Sequence, residues 1–191
     1  RDPRQALRDP HWGWCSPFVM GAVNTRVVRR TSHLLAGGER AYRSGFTYQE
    51  YQGSSGGRSR WAATRDVMVL GGLLGLVSRG WGRAIAKSLG PKPGRGPGQK
   101  VIDTGGFRLD LVAEGDDGRT LWGLVKGQGD PSNTITVTCL AESALCLALE
   151  EDTLPSGGGV LTPAVAFGDV LLKRLEGTCV SVRVGLEGPH G

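Results

Sequence analysis

Apolar residues recur at helical spacing in the first part of the chain. A 3.6-residue period runs from Pro17 to about Leu35, which predicts an amphipathic helix. Ser16 and Pro17 are typical of a helix start. The Ser hydroxyl can accept a hydrogen bond from a free backbone N–H of the first turn, and Pro suits that turn because no N–H is needed there. Gly37 follows the last periodic residue and indicates where the helix ends.

Two further helices are predicted near the C-terminus. The segment 134–149 begins β-branched (TITVT) and becomes rich in Ala and Leu, and its length and apolar spacing favour a helix. The pair Thr162-Pro163 predicts the start of a third helix that runs to Leu175 and ends at Gly177.

Strict alternation of apolar and polar residues marks the most regular strands. It extends over 107–114 and again over 119–128, around the turn 115–118 (GDDG), and therefore predicts a hairpin. Shorter strands are predicted at 46–51 and 180–184, and residues 1–15 are expected to be irregular. The fold class is therefore α+β: a mixed or antiparallel sheet built on the hairpin and covered by helices near 17–35, 134–150 and 163–176.

The most unusual pattern is the uninterrupted run Val67–Val77 (VMVLGGLLGLV). Arg and Lys residues flank it on both sides, and Trp61 and Trp81 lie near its ends. Eleven residues reach only about half of the ~30 Å hydrocarbon layer, and no run in the chain reaches the ~18 uncharged residues of a spanning helix.

Two interpretations of this run stay open. It is either a buried core helix or a helix that dips into one leaflet of a membrane, which basic flanks and tryptophans favour. The candidate membrane contacts are Leu70, Leu73, Leu74 and Trp81.

Changes in composition divide the chain into three predicted parts. Residues 1–57 would supply the first helix and strand, 58–98 an apolar, basic-flanked helical insert ending in the Pro/Gly linker 90–98, and 99–191 the hairpin and remaining helices. The sequence begins with Arg1 and shows no signal-peptide pattern. We therefore expect a processed chain or a fragment.

Charge is distributed unevenly over the 191 residues. Residues 1–100 hold 17 Lys and Arg against 5 Asp and Glu, a net of +12, whereas 101–191 hold 6 against 13, a net of −7. The basic half is expected to meet an anionic surface, or to be neutralised by the acidic half or by another domain. Nucleic acid is not expected as the partner, because no nucleic-acid-binding motif accompanies the charge. At 39% hydrophobic residues, a wholly disordered chain is excluded.

Motifs that would complete an active site are absent. The four Cys and three His form no C-x-x-C and no zinc spacing, so we predict no metal site and free thiols in a reducing compartment. The sequence contains no G-x-G-x-x-G, P-loop, G-x-S-x-G or H-E-x-x-H. No catalytic residue is assigned. We interpret the chain as supplying one side of an active site that another part of the protein completes.

Several irregular motifs occur in a specific order. They are SPFVMGAVNTRVVRR (16–30), PKPGRGP (91–97), GDP (129–131), LAESALCLA (140–148), GVLTPA (159–164) and the pair Gly168-Asp169. In this order they resemble the C-terminal part of the saccharopine dehydrogenase-like oxidoreductases, especially the trans-acting enoyl reductase branch. The resemblance extends from about residue 8 to 184.

The resemblance implies a protein with more than this chain contains. An N-terminal Rossmann domain would hold NAD(P) in the full-length protein, whereas this chain would bind none alone and would supply the substrate side. Family members of this branch reduce a double bond of a lipid-type acyl chain beside a polyketide synthase. The implied partners are the missing Rossmann domain, a lipid-type substrate and a membrane or lipid-droplet surface, and a homodimer stays open. The location would be intracellular, either cytoplasmic or peripheral to a membrane or droplet. The alternative is a non-catalytic membrane or lipid-droplet binding module.

The resemblance also suggests which side chains line the substrate cleft. Two of the matched motifs carry polar residues on predicted helices, and Arg guanidinium groups suit phosphate or carboxylate. A solvated helix face or helix packing would explain the same residues. The candidates are Asn24, Thr25, Arg26 and Arg30 on the first helix, and Glu142 and Ser143 on the second.

Overall fold

The computed structural model describes residues 5–42, 45–53, 59–89, 96 and 98–186, and it confirms an α+β fold with two small antiparallel sheets of three strands each. The chain divides into two compact units, Arg1–Arg95 and Gly96–Gly191, and each is described by itself. Most of the predicted linker 90–98 lies outside the described residues.

The described strands are Leu7–Asp9 (β1), Gly13–Pro17 (β2), Tyr51–Gly53 (β3), Gly106–Glu114 (β4), Thr120–Gln128 (β5) and Val180–Gly185 (β6). The described α-helices are Gly21–Leu35 (α1), Arg60–Ser78 (α2), Gly80–Leu89 (α3), Gln99–Thr104 (α4), Thr136–Leu149 (α5) and Pro163–Leu175 (α6).

The sheet of the first unit has the strand order β1-β2-β3. The turn between β1 and β2 is closed by Asp9, whose carboxylate accepts the backbone N–H groups of His11 and Trp12 at 2.8 and 3.0 Å. β2 then pairs with β3, with Cys15 opposite Gly53. The expectation of an irregular segment over 1–15 is therefore wrong, because this short hairpin is completed by a strand more than 30 residues away.

Two element boundaries in the first unit also differ from the prediction. Ser16 and Pro17 end β2 instead of starting a helix, and α1 begins four residues later, at Gly21. The residue before a proline is biased toward extended backbone, and the buried Ser16 hydroxyl donates to the Gln52 carbonyl at 3.4 Å. The strand predicted at 46–51 is likewise displaced to Tyr51–Gly53.

The apolar segment forms two helices joined by a sharp bend. α2 ends at Ser78, Arg79 has extended backbone, and α3 starts at once. A Cβ on Gly82 would lie 1.9 Å from the Leu76 carbonyl oxygen, so the close approach of the two helices requires glycine there. At the other end of α2, Ala63 is completely buried, and the Arg60 guanidinium lies 5.7 Å from the centre of the Trp14 ring on β2.

The hairpin predicted from the alternating pattern forms the sheet of the second unit. β4 and β5 pair over nine residues each, and β6 adds on the other side of β5, antiparallel. The turn is closed by the Gly115 N–H, which donates to the Arg119 carbonyl at 2.8 Å, and by Gly118 at φ 79°. The hairpin and the strand predicted at 180–184 are confirmed.

Apolar packing in the second unit is centred on one end of this sheet. The buried cluster contains Ile135, Leu175 and Val180, with Phe107 and Val125 packed against it. Ile135 belongs to a π-helical turn, Pro131–Ile135, that leads directly into α5. The helix predicted over 134–149 is therefore confirmed, although its first turn is π-helical.

The third predicted helix is confirmed, with a kink. α6 spans Pro163–Leu175, but Gly168 inside it has φ 51° and ψ −132°, a conformation that side chains avoid. The buried Phe167 immediately precedes the kink. The glycine of the Gly168-Asp169 motif therefore has a conformational role.

Gly127 is the position where the second unit leaves no room for a side chain. A Cβ there would lie 2.3 Å from Phe107 Cε1 and 2.5 Å from Ile135 Cδ1. We expect Gly127→Ala to lower the free energy of unfolding by about 1–3 kcal/mol through overpacking, measured by urea denaturation. Gly158→Ala is the matched control, because no atom lies within 4 Å of its Cβ position. Equal stabilities of the two variants would contradict this packing.

Candidate functional site

The first helix carries a polar cluster that the motif residues only partly predicted. The Asn24 side-chain amide donates to both carboxylate oxygens of Glu50, at 3.1 and 2.9 Å. Burial, then the negative charge of Glu50 and a hydrogen bond to it, raise the pKa of the Tyr48 phenol. The phenol is therefore protonated at neutral pH and able to donate, and Asn24 orients the carboxylate beside it.

The other candidates on α1 differ in exposure. Thr25 is only 1% exposed, so its side chain packs inside the first unit. Arg26 and Arg30 are exposed and lie one helical turn apart, on the same side of α1. Two guanidinium groups in this arrangement are suited to an anionic group such as a phosphate or carboxylate.

The two candidates on α5 are engaged in packing within the second unit. The Glu142 carboxylate accepts the Arg174 Nε–H at 2.8 Å, and Arg174 Nη1 also donates to Glu150 at 3.2 Å. Partial burial alone would lower the pKa of Arg174, but the two carboxylates outweigh it and raise that pKa. Ser143 donates to the carbonyl of Cys139, one turn earlier, at 2.7 Å.

Sequence reasoning missed the partners in both clusters. Glu50 follows Asn24 by 26 residues and Arg174 follows Glu142 by 32, so no local spacing connects them. For Arg174, the one signal in the sequence was its position as a basic residue in the last turn of a predicted helix. That position does not indicate Glu142 as its partner. The six candidates thus fall into two groups, one in each unit.

The candidate membrane contacts lie on a surface of the first unit. Leu73, Leu74 and Trp81 are 55%, 56% and 58% exposed, while Leu70 is half-buried. No atom lies within 4 Å of the Cβ positions of Gly71, Gly72 and Gly75. Within this unit the apolar run is not a buried core helix, and exposed basic residues follow it on α3.

The expectation that the apolar segment is too short to cross a membrane counted only its eleven uncharged residues, and the helix is longer. α2 contains 19 residues, and by length and composition it and the segment Pro131–Leu149 are the two described helices apolar enough to cross a membrane. α2 reaches this length by including Arg65 and Asp66, which pair with each other at 2.8 Å. One or two such helices are weak evidence of a membrane span.

An open depression in the second unit was not predicted from the sequence. It measures about 620 Å³ and is bordered by the start of β4, the end of β5 and the start of β6. Arg108 lies at its edge but is held by Asp110 through contacts of 2.8–3.0 Å. Lys126, Cys179 and Ser181 also contribute to its wall. The residues do not form an acid–base pair or a nucleophile with a base.

Two kinds of binding site can be looked for directly in the part of the chain that is described, a metal cluster and a Rossmann-type pyrophosphate site. No three His, Cys, Asp or Glu residues within it are grouped to hold a metal ion. The Rossmann fold binds the cofactor pyrophosphate where a strand of a parallel sheet turns into a helix, and both described sheets are antiparallel.

Comparison with known proteins gives a consistent set of relatives. A protein of Mycobacterium tuberculosis strain H37Rv, provisionally named a trans-acting enoyl reductase, is 36% identical over 178 residues, 89% of this chain and 41% of its own. The trans-acting enoyl reductase of Mycobacterium ulcerans is 37% identical over 175 residues, 88% of this chain and 40% of its own. A protein of the same name from Mycobacterium bovis is 35% identical over 173 residues, 87% of this chain and 40% of its own.

These relatives are longer than the chain. The chain spans about two fifths of their length. No protein-family profile matches it, and no solved structure matches it. Homologues named trans-acting enoyl reductase are thus shown over nearly the whole chain, as the sequence motifs suggested.

The matched Gly-Asp-Pro motif has a structural role that pH can test. Hydrogen bonds from Ser132 and Asn133 outweigh burial and lower the pKa of Asp130. A lowered folded-state pKa stabilises the fold above the pKa of the unfolded carboxyl, about 3.9, and this contribution is lost as pH falls through the folded-state pKa. We expect Asp130→Ala to lower the thermal midpoint at pH 7 and progressively less between about pH 4 and pH 2.

The matched control is Asp117→Ala, in an exposed turn that forms an ion pair with Arg119. Its thermal midpoint should change much less at pH 7. A difference between wild type and Asp130→Ala that stays constant down to pH 2 would argue against a stabilising Asp130 carboxylate.

Proposed function

We propose that this chain is the substrate-side part of an enoyl reductase of the saccharopine dehydrogenase-like kind. In this proposal the nicotinamide cofactor is held outside the described residues, and the substrate is a lipid-type acyl chain with a double bond. The similarity to proteins named trans-acting enoyl reductase, over nearly nine tenths of the chain, carries the proposal. The exposed apolar surface of α2 adds support, because an acyl chain needs an apolar environment.

The geometry narrows the candidate substrate contacts. Glu142 and Ser143 are half-buried and Thr25 is buried, so these three suit packing better than binding. Arg26 and Arg30 are exposed and able to bind an anionic end of the substrate. Asn24 holds Glu50 on a different side of α1, because residues two apart on a helix do not face each other.

The first test is binding of a long-chain 2-enoyl-coenzyme A thioester, followed by calorimetry. We expect micromolar to millimolar affinity, the usual range for substrates, and at least a fivefold loss in the double variant Arg26→Ser/Arg30→Ser. Arg183→Ser is the matched control, because it removes an exposed arginine from the second unit. No binding by the wild-type chain would contradict the proposed substrate role.

The same titration with NADPH and NADH tests where the cofactor binds. Nicotinamide fluorescence should show no saturable change with this chain alone. Saturable micromolar binding of NADPH or NADH would overturn the proposal that the cofactor is held elsewhere. It would leave the proposed binding of the enoyl thioester unaffected.

A second candidate function is favoured by the exposed apolar run on α2 and the cations that follow it. As a non-catalytic module, the chain would bind a membrane or lipid-droplet surface through Leu73, Leu74 and Trp81, while the cations of α3 contact anionic headgroups. Met68 and Val69, 71% and 63% exposed, would extend the same surface.

Flotation with vesicles containing phosphatidylserine tests this second function. We expect wild type to float with the vesicles and the triple variant Leu70→Ser/Leu73→Ser/Leu74→Ser to stay behind, because it loses the apolar area that enters the lipid. The control Val160→Ser removes an exposed apolar side chain, 87% exposed, from the second unit. A triple variant that floats like wild type would exclude the apolar run as the contact. If the triple variant also keeps enoyl-thioester binding, the result favours the proposed role in an enoyl reductase.

A further inference from the structure

Half of the surface of α5 is apolar and uncovered. Val137, Leu140 and Leu147 are 62%, 70% and 61% exposed, and Leu149 is 67% exposed. Three alanines and Leu145 occupy the remaining exposed positions between them. A helix that is apolar nearly all round is normally buried in a larger protein or in a membrane, so an uncovered face of this kind raises the question of what covers it.

The opposite side of α5 is already used. Cys146 is completely buried there, and Glu142, the one charged residue of the helix, pairs with Arg174 of α6. The uncovered face therefore carries no charge of its own.

Charge argues against lipid as the occupant of the α5 face. Glu150, Glu151 and Asp152 follow the helix directly. Acidic residues at this end are repelled by anionic headgroups, in contrast to the basic residues on α3.

Area argues against a second copy of the chain. A helix face about 21 Å long and about 10 Å wide covers roughly 200 Å², far below the roughly 800 Å² that each partner buries in a stable complex. The face is also wider than the narrow seam by which two helices pair. A small interface is sufficient when the two parts belong to one protein, because tethering makes docking intramolecular.

We propose that the uncovered face of α5 is the docking surface for the part of the longer reductase that the relatives contain and this chain does not span. This inference rests on the proposed function, since both depend on relatives of which the chain spans about two fifths. The docking part presents an apolar surface to Val137, Leu140 and Leu147. It carries basic groups where it meets the acidic end at 150–152.

Cysteine labelling tests this docking surface directly. Leu140→Cys and, as the matched control, Val160→Cys are introduced into this chain, and cysteines are placed at the aligned positions of the full-length M. bovis relative. Maleimide labelling is followed peptide by peptide by mass spectrometry. In the isolated chain both sites should react at similar rates, whereas in the relative the site aligned with Leu140 should react at least tenfold more slowly than the control.

Three results would overturn the proposal. The first is equal reactivity of the two sites in the full-length relative. The second is protection of Leu140→Cys in the isolated chain together with a doubled mass by light scattering, which would assign the face to a second copy. The third is protection of Leu140→Cys on adding phosphatidylserine vesicles. Protection in the relative combined with no enoyl-thioester binding would support the docking surface while the proposed substrate role fails.

Discussion

The packing of Phe107 and Ile135 over Gly127 determines how the second unit is built. Because β5 has no side chain at that point, the aromatic ring of β4 and the end of the π-helical turn both reach the sheet. The π-helical turn continues into α5 without a break, so this one contact fixes where α5 begins. Where α5 begins also sets which of its residues meet α6 and which stay uncovered.

A chain of backbone hydrogen bonds supports this contact. The Gly129 N–H donates to the Gly105 carbonyl at 2.8 Å, and the Asp130 N–H donates to the Ile102 carbonyl at 3.0 Å. Gly129 has φ 103°, and a Cβ on Gly105 would lie 2.6 Å from the Val101 carbonyl oxygen. The Gly-Asp-Pro motif thus joins α4, the end of β5 and the start of α5. Its place among the matched motifs is explained by folding, with no need for a role in chemistry.

The sequence predicted the elements whose signals are local. The hairpin 106–128 follows from strict alternation around a Gly-Asp-Asp-Gly turn, and α6 follows from Thr162-Pro163. The first helix was placed too early because the capping logic for Ser16 competes with the extended backbone that Pro17 imposes on it. That competition is decided by β3, more than 30 residues along the chain, and no local pattern reports it.

The candidate site was predictable to a smaller extent. Asn24 is a candidate from the motif residues and stays a prediction, whereas the carboxylate that it holds, Glu50, could be found only by folding the chain. Glu142 was placed in a cleft on the resemblance alone, and its partner Arg174 shows instead an ion pair between two helices. Polar residues in a matched motif are therefore ambiguous between binding and packing until their partners are known.

The first helix shows why so much apolar surface is left uncovered in the first unit. α1 buries Gly21, Thr25 and Thr31 and exposes Val23 and Val27, the reverse of an ordinary amphipathic helix. Threonine tolerates burial here because its hydroxyl bonds within the helix, as Thr31 does to the Val27 carbonyl at 3.0 Å. The valines gain nothing from facing water, so their position is stabilising only when another surface covers them. The same reasoning applies to α5, and both helices lie in the region shared with the longer relatives.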